Sequence, residues 1–146
     1  LKWPNDVLVD ERKVCGILSE RVETVDGPAA VLGVGMNISQ SADQLPVPTA
    51  TSLHLAGSSI DATSVTIALL ASLERWYREW NDGADLADAY RSRCGTLGLD
   101  VAVHGHETVT GRAVDVDAEG RLVVEVSGRR RAFAAGDVVH LRRPEF

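Results

Sequence analysis

Lys2-Trp3-Pro4-Asn5-Asp6 runs directly into Val7-Leu8-Val9, and the reading of these eight residues decides the fold of the first half of the chain. The first five place a cation, an amide and a carboxylate together, with Pro4 restricting the backbone just before an extended apolar run. A lysine ammonium suits phosphate or carboxylate oxygens, while Asn5 and Asp6 are types that orient such a cation or help hold hydrated Mg²⁺. The plainer alternative is a turn with solvated charges leading into a strand, since short motifs also arise by chance. Working outward, Asp10-Glu11-Arg12-Lys13 is a polar turn and Gly16-Ile17-Leu18 resumes an extended segment. Asp26-Gly27-Pro28 punctuates the chain before a third apolar run at Ala29 to Gly33. A hairpin followed by another strand is expected. Both faces of these runs are apolar, which predicts a sheet covered on at least one side by helices.

That third run continues into Gly33-Val34-Gly35-Met36-Asn37. Two glycines at alternate strand positions let a ligand lie against bare backbone, and Asn37 supplies an amide at the end; a bulge or tight packing site is the alternative. The third glycine and following helix of a dinucleotide-binding fingerprint are missing, so that reading is rejected. Residues 40–60 carry no period and hold Pro46 and Pro48, the composition of a loop, with residues 40–52 expected to be mobile without ligand. From Asp61 the pattern becomes helical: Leu69, Leu73, Trp76 and Trp80 form one apolar stripe, expected to face the core. Asp61, Thr63 or Ser64 serves as N-cap, Asn81-Asp82-Gly83 is a stop, and a second short helix follows around Leu86 to Tyr90. Between residues 98 and 142 valines alternate with polar residues and are separated by Gly-containing turns, predicting a small SH3-like β-barrel. Two domains are expected, residues 1–96 and residues 97–146.

The composition bounds what such a chain does. Its 146 residues are 45% apolar and 25% charged, a globular balance that excludes disorder as the main state. Fifteen Lys and Arg against 21 Asp and Glu give a net charge of −6, which argues against nucleic acid as the main partner. No apolar run approaches the roughly 18 residues of a transmembrane helix, and no signal-peptide pattern opens the chain. Cys15 and Cys94 lie in unrelated contexts and read as free thiols of a reducing, cytoplasmic compartment. His104 and His106 share one face of a strand without a third ligand nearby, so no metal site is expected from a side-chain cluster. Arg129-Arg130-Arg131 is a basic run in a barrel turn, and no Ser-His-Asp arrangement is readable.

The motifs taken in order carry more than each alone. Lys2-Trp3-Pro4-Asn5-Asp6, then Arg12-Lys13-x-x-Gly16-Ile17-Leu18-x-Glu20, then Gly33-x-Gly35-x-Asn37, resembles the catalytic domain of biotin protein ligases. Ala50-Thr51-Ser52-Leu53 followed by a helix, and the C-terminal barrel, extend the resemblance over the whole chain. The resemblance implies an α/β fold: part of a class II synthetase-like, biotin/lipoate ligase-like mixed sheet with helices, followed by the SH3-like barrel. It implies an ATP- and Mg²⁺-dependent enzyme that makes biotinoyl-5′-AMP and passes biotin to a lysine of a biotin carboxyl carrier domain. On this match Lys2 is the catalytic lysine, and Lys2, Val7, Gly33, Met36 and Asn37 contact biotin or the adenylate. Asn5, Asp6, Asn37 and, more loosely, Arg142 fall to the ATP and Mg²⁺ side. The family's glycine- and arginine-rich biotin loop lies upstream of the lysine motif and has no counterpart here, so the chain is expected to be truncated and inactive alone. The rival readings are a non-catalytic SH3-like docking module and a ligase for another acyl cofactor such as lipoate.

Overall fold

A computed structural model describes residues 1–141. Contacts group residues 5–76 into one compact unit, and residues 1–4 with the chain from Tyr77 onward into another. Grouping by contact therefore draws its line elsewhere than composition does, with residues 77–96 beside the C-terminal sheet.

In the first unit three antiparallel strands, β1 (Asp6–Val9), β2 (Arg12–Thr24) and β3 (Gly27–Met36), lie in sequence order. Asp10 and Glu11 link β1 to β2 with φ of 47° and 60°, the double positive φ that matches the twist of a two-residue hairpin. β1 and β2 leave register between Val7 and Leu8, where Val7 faces Cys15 but Leu8 faces Lys13. Val14 is thus the extra residue of a β-bulge. The polar segment after β3 contains one 3-10 turn, Ala42–Gln44, and then returns to the sheet. There Ala50 pairs in parallel with Lys13, and Ala50, Thr51 and Ser52 are all buried.

One expectation is corrected in this unit. The β2–β3 ribbon is not covered by helices among the described residues: β3 is exposed along most of its length, and Leu18, Val31 and Leu32 face solvent. The far end of the loop is tied back to the sheet, the Thr51 amide donating to the Lys13 carbonyl at 2.8 Å and the Ser52 hydroxyl to the Gln40 carbonyl at 2.7 Å.

Helix α1 (Ala62–Asn81) runs from one unit into the other. Asp61 starts it, its carboxylate accepting from the Ser64 amide at 3.0 Å and from the Ser64 hydroxyl at 2.6 Å, and these bonds hold its carboxyl below the usual range. Gly83, at φ 91°, ends it. The apolar stripe is present but no residue of the helix is buried, and Trp80 is 60% exposed, so the expected core role of that indole is not met among the described residues. Trp76 is half-buried under the Arg75 guanidinium, 4.4 Å from its ring centre. Among the described residues no helix is long and apolar enough to cross a membrane.

The second unit holds α2 (Ala87–Arg91) and strands β4 (Asp100–His104), β5 (Thr108–Val116), β6 (Leu122–Val126), β7 (Arg129–Phe133) and β8 (Asp137–His140). Their order, β7-β6-β5-β4-β8, brings the last strand back to the first, as in an SH3-like sheet. Alternation works as expected: Val101, Val103, Ala113, Val116, Leu122, Val124 and Val138 turn inward and form one buried cluster. Trp3 and Cys94 join that cluster, so the first residues of the chain complete the core of its last domain.

Candidate ligand site

The pleat of the three-stranded sheet sorts the motif residues onto two faces. Cross-strand partners share a face, and the pairs Asp6–Gly16, Leu8–Lys13, Gly16–Gly35 and Leu18–Gly33 define one of them. Lys13 and Gly16, three residues apart, belong on opposite faces of a regular strand; the bulge at Val14 brings them onto the same one. The outcome is a patch where Gly16, Gly33 and Gly35 leave backbone bare, with Asp6 and Lys13 beside it.

Packing does not demand two of these glycines. A Cβ at Gly33 or at Gly35 meets nothing nearer than 3.9 Å. Gly16 differs, because a Cβ there comes within 3.1 Å of both Cε and Nζ of Lys13. An open trough of about 460 Å³ lies over this surface, lined by Asn5, Gly16, Leu18, Gly33 and Gly35 among others. A trough floored by main chain accepts a flat or elongated ligand at close range and offers peptide edges as hydrogen-bond partners.

Asn5 closes one end of the trough. Its side-chain amide donates to the Ile17 carbonyl at 2.7 Å, and its own carbonyl accepts from the Ile17 amide at 2.9 Å. Asp6 is mostly buried and accepts an ion pair from Lys13, with Nζ 2.6 Å from Oδ1. Asn37, just past β3, is committed to the fold: its amide donates to the Val14 carbonyl at 2.8 Å and its side chain to the Thr51 carbonyl at 3.0 Å. Val7 and Met36 are placed otherwise. Val7 pairs with Cys15 and Cys15 with Met36, so both lie on the face opposite Gly33. Burial among these neighbours raises the Cys15 thiol above its ordinary pKa, with the Lys13 charge opposing and the Asp6 charge reinforcing the shift.

Lys2 belongs to the second unit, and its flanks are fixed there. The Leu1 carbonyl accepts from the Gly95 amide at 2.8 Å, and the Trp3 amide donates to the buried Thr96 hydroxyl at 3.0 Å. The Trp3 indole N–H donates to the Gly120 carbonyl at 2.9 Å, and the Tyr90 hydroxyl to the Pro4 carbonyl at 3.2 Å. The Trp3–Pro4 peptide bond is cis. A lysine held between two such anchors has a defined backbone origin for its side chain. Sequence reading missed the roles of Trp3 and Thr96, because anchoring across more than ninety residues leaves no local signature. Arg142 lies outside the described residues.

Among the described residues there is no group of three or more His, Cys, Asp or Glu side chains placed to hold a metal ion. Asp6 supplies one carboxylate oxygen to Lys13, and the Asn5 amide is spent on main chain, so neither forms a metal cage.

Comparison with known proteins agrees with this picture. A family model described as Biotin/lipoate A/B protein ligase family matches residues 1–37, and one described as Biotin protein ligase C terminal domain matches residues 96–141. The chain is 41% identical over 145 residues to the biotin–[acetyl-CoA-carboxylase] ligase of Mycobacterium tuberculosis, covering 97% of this chain and 53% of that protein. It is 32% identical over 146 residues to the bifunctional ligase/repressor BirA of Bacillus spizizenii, covering 92% of this chain and 44% of the relative. The chain thus spans about half the length of these curated relatives. In fold it matches the apo biotin protein ligase of Aquifex aeolicus at a TM-score of 0.83 and 22% identity, over 97% of this chain and 65% of the other. The same Aquifex protein in complex with biotin and ATP matches at 0.78 and 23% identity, over 98% of this chain and 62% of that one. With the glycine-floored trough inside the first matched segment and the SH3-like sheet inside the second, the chain belongs to the biotin protein ligase family.

Proposed function

We propose that this chain is the part of a biotin protein ligase that carries the lysine motif, one wall of the ligand site and the C-terminal domain. The enzyme would join biotin to ATP as biotinoyl-5′-AMP with release of pyrophosphate, then pass the acyl group to a lysine amine of a biotin carboxyl carrier domain. The observation that carries this reading is the bare trough of Gly16, Gly33 and Gly35, in which two glycines have no packing reason to be glycine. A ligand that lies flat on main chain supplies the reason. In this reading the domains are residues 1–96 and 97–146, the second supported by the family match at 96–141. The setting is the cytoplasm, where Cys15 and Cys94 stay as free thiols.

The roles follow from the chemistry of each group. Lys2 is the fixed cation: an ammonium against the reacting carboxylate and the α-phosphate lowers the energy of charge that builds up at phosphorus and on departing AMP. Gly33 accepts the ligand along its backbone, while Val7 and Met36 contribute apolar surface on the other face of the same strands. Asn37, tied at the end of β3 to Val14, Thr51 and Leu53, is assigned to the adenylate and ATP side of the site. Asn5, Asp6 and Arg142 are assigned to the nucleotide side. Mg²⁺ would enter with ATP as its counter-ion, because the described residues hold no group of three or more His, Cys, Asp or Glu side chains placed for a metal. The test is direct: a full-length ligase containing these 146 residues should release pyrophosphate from ATP only when biotin is present, and should label a carrier domain with biotin. Labelling with lipoate instead would move the assignment to another acyl ligase.

A further inference from the structure

We propose that Lys13 is a positioning residue for the nucleotide end of this site, holding the Asp6 carboxylate over the glycine face. The inference rests on the ligase reading and deepens it. Four observations carry it. The Lys13 ammonium is 2.6 Å from Asp6 Oδ1, and the Asp6 side chain is only 17% exposed, so the carboxylate has little water to turn toward. The β-bulge at Val14 puts Lys13 on the face of Gly16 and Gly35; without the extra residue the lysine would point to the other side of the sheet. At Gly16 a Cβ would stand 3.1 Å from both Cε and Nζ of Lys13, so the lysine lies across this glycine and a side chain there would press on its outer end. The main chain of Lys13 is clamped as well, its amide donating to the Thr49 carbonyl at 2.9 Å and its carbonyl accepting from the Thr51 amide at 2.8 Å.

A half-exposed lysine clamped at its main chain and turned by a bulge toward a mostly buried carboxylate is more than a chance surface pair, which needs no bulge to form. Its consequence is orientation. With Oδ1 held by the ammonium, the Asp6 carboxylate loses its freedom to turn, and in the ligase reading its other oxygen serves the nucleotide side. Lys13 acts through Asp6 and is not assigned contact with the reacting atoms.

The experiment compares Lys13→Met, Lys13→Arg and Gly16→Ala in a full-length ligase containing residues 1–146, with initial rates of biotinoyl-AMP formation at varied MgATP and varied biotin. Lys13→Met should raise KM for MgATP about tenfold, the scale for losing a supporting partner, with KM for biotin changed less than about twofold. Lys13→Arg should recover most of the loss, because a guanidinium reaches the same carboxylate. Gly16→Ala, which pushes on the lysine without removing it, should shift KM for MgATP the same way, and the double variant should be no worse than Lys13→Met alone. Parent kinetics in Lys13→Met would overturn the proposal and leave the ligase reading standing. Equal losses toward biotin and MgATP with no rescue by arginine would overturn it too, as would additive losses in the double variant. A parent protein that makes no biotinoyl-AMP would overturn both readings.

Discussion

Lys2 and Trp3 are neighbours with opposite duties, and the contrast shows how much rests on single side chains. Trp3 is 2% exposed and spends its indole N–H on Gly120, so it is structural; Lys2 beside it has an anchored main chain and an ionic head. If the lysine is the fixed cation of both half-reactions, Lys2→Ala should slow adenylate formation and transfer alike by about 10² to 10³, the scale of removing one preorganised charge donor. Single-turnover rates for each half-reaction check this, and parent rates in both would remove Lys2 from the chemistry. Tyr90 gives a pH prediction. Burial, reinforced by the nearby Cys94 thiol, raises its hydroxyl pKa above the ordinary value, so the folded state keeps the proton longer than the unfolded chain. Stability from this group is therefore intact below about pH 10, the ordinary tyrosine value, and is lost as the pH rises above it. Melting temperatures measured from pH 8 upward should fall beyond that point, and Tyr90→Phe should flatten the fall.

Among the elements, β5 makes the tightest demand. A Cβ at Gly111 would collide with the Glu125 main-chain oxygen and with the Val124 side chain, neither of which is a flexible tip. Gly111→Ala should destabilise the C-terminal sheet by about 2 kcal/mol, within the range for overpacking a tight crossing. A chemical denaturation midpoint compared with Gly120→Ala separates crowding from backbone strain, because a Cβ at Gly120 meets nothing but is strained by a φ of 78°. The segment after β3 yields a second expectation. Proline content and lack of period read as one mobile loop, yet Ala50 to Ser52 are buried and bonded back to Lys13, Asn37 and Gln40. Amide exchange should accordingly be slow at Thr51 and fast at residues 43–48, whose side chains are largely exposed. Uniformly fast exchange through residue 52 would show that the return to β2 does not persist in solution.

At the scale of the whole molecule, the trough is open and its walls are few. A mostly apolar ligand such as biotin binds tightly when most of its surface is enclosed. The three-stranded sheet offers a floor, with Leu18, Val31 and Leu32 exposed, and the described residues supply no roof over it. The 146 residues by themselves should therefore release no pyrophosphate from ATP and biotin above the level of their Lys2→Ala variant. Biotin-dependent release that vanishes in the variant would mean that a floor alone suffices.

The sequence alone was enough for the strands, the long helix, the SH3-like character of the C-terminal sheet and the family. β-strands announce themselves through alternation, as in Val101 to Val103 and Leu122 to Val126, and α1 through its stripe from Leu69 to Trp80. The lysine motif and the paired glycines are local words, readable wherever they stand. Only the tertiary structure decided which side each residue faces and what it serves. One extra residue at Val14 reverses the facing of Lys13, and no periodicity records such a bulge in advance. Asn37 reads as a ligand amide from its position after the glycines, and only the structure shows that its side chain also donates to the returning segment at Thr51. Trp80 reads as core from spacing, yet spacing says only that a face is apolar, never that something covers it. Trp3 and Thr96 meet across most of the chain, and a contact of that range follows from how the C-terminal unit packs around the start of the chain rather than from any pattern nearby.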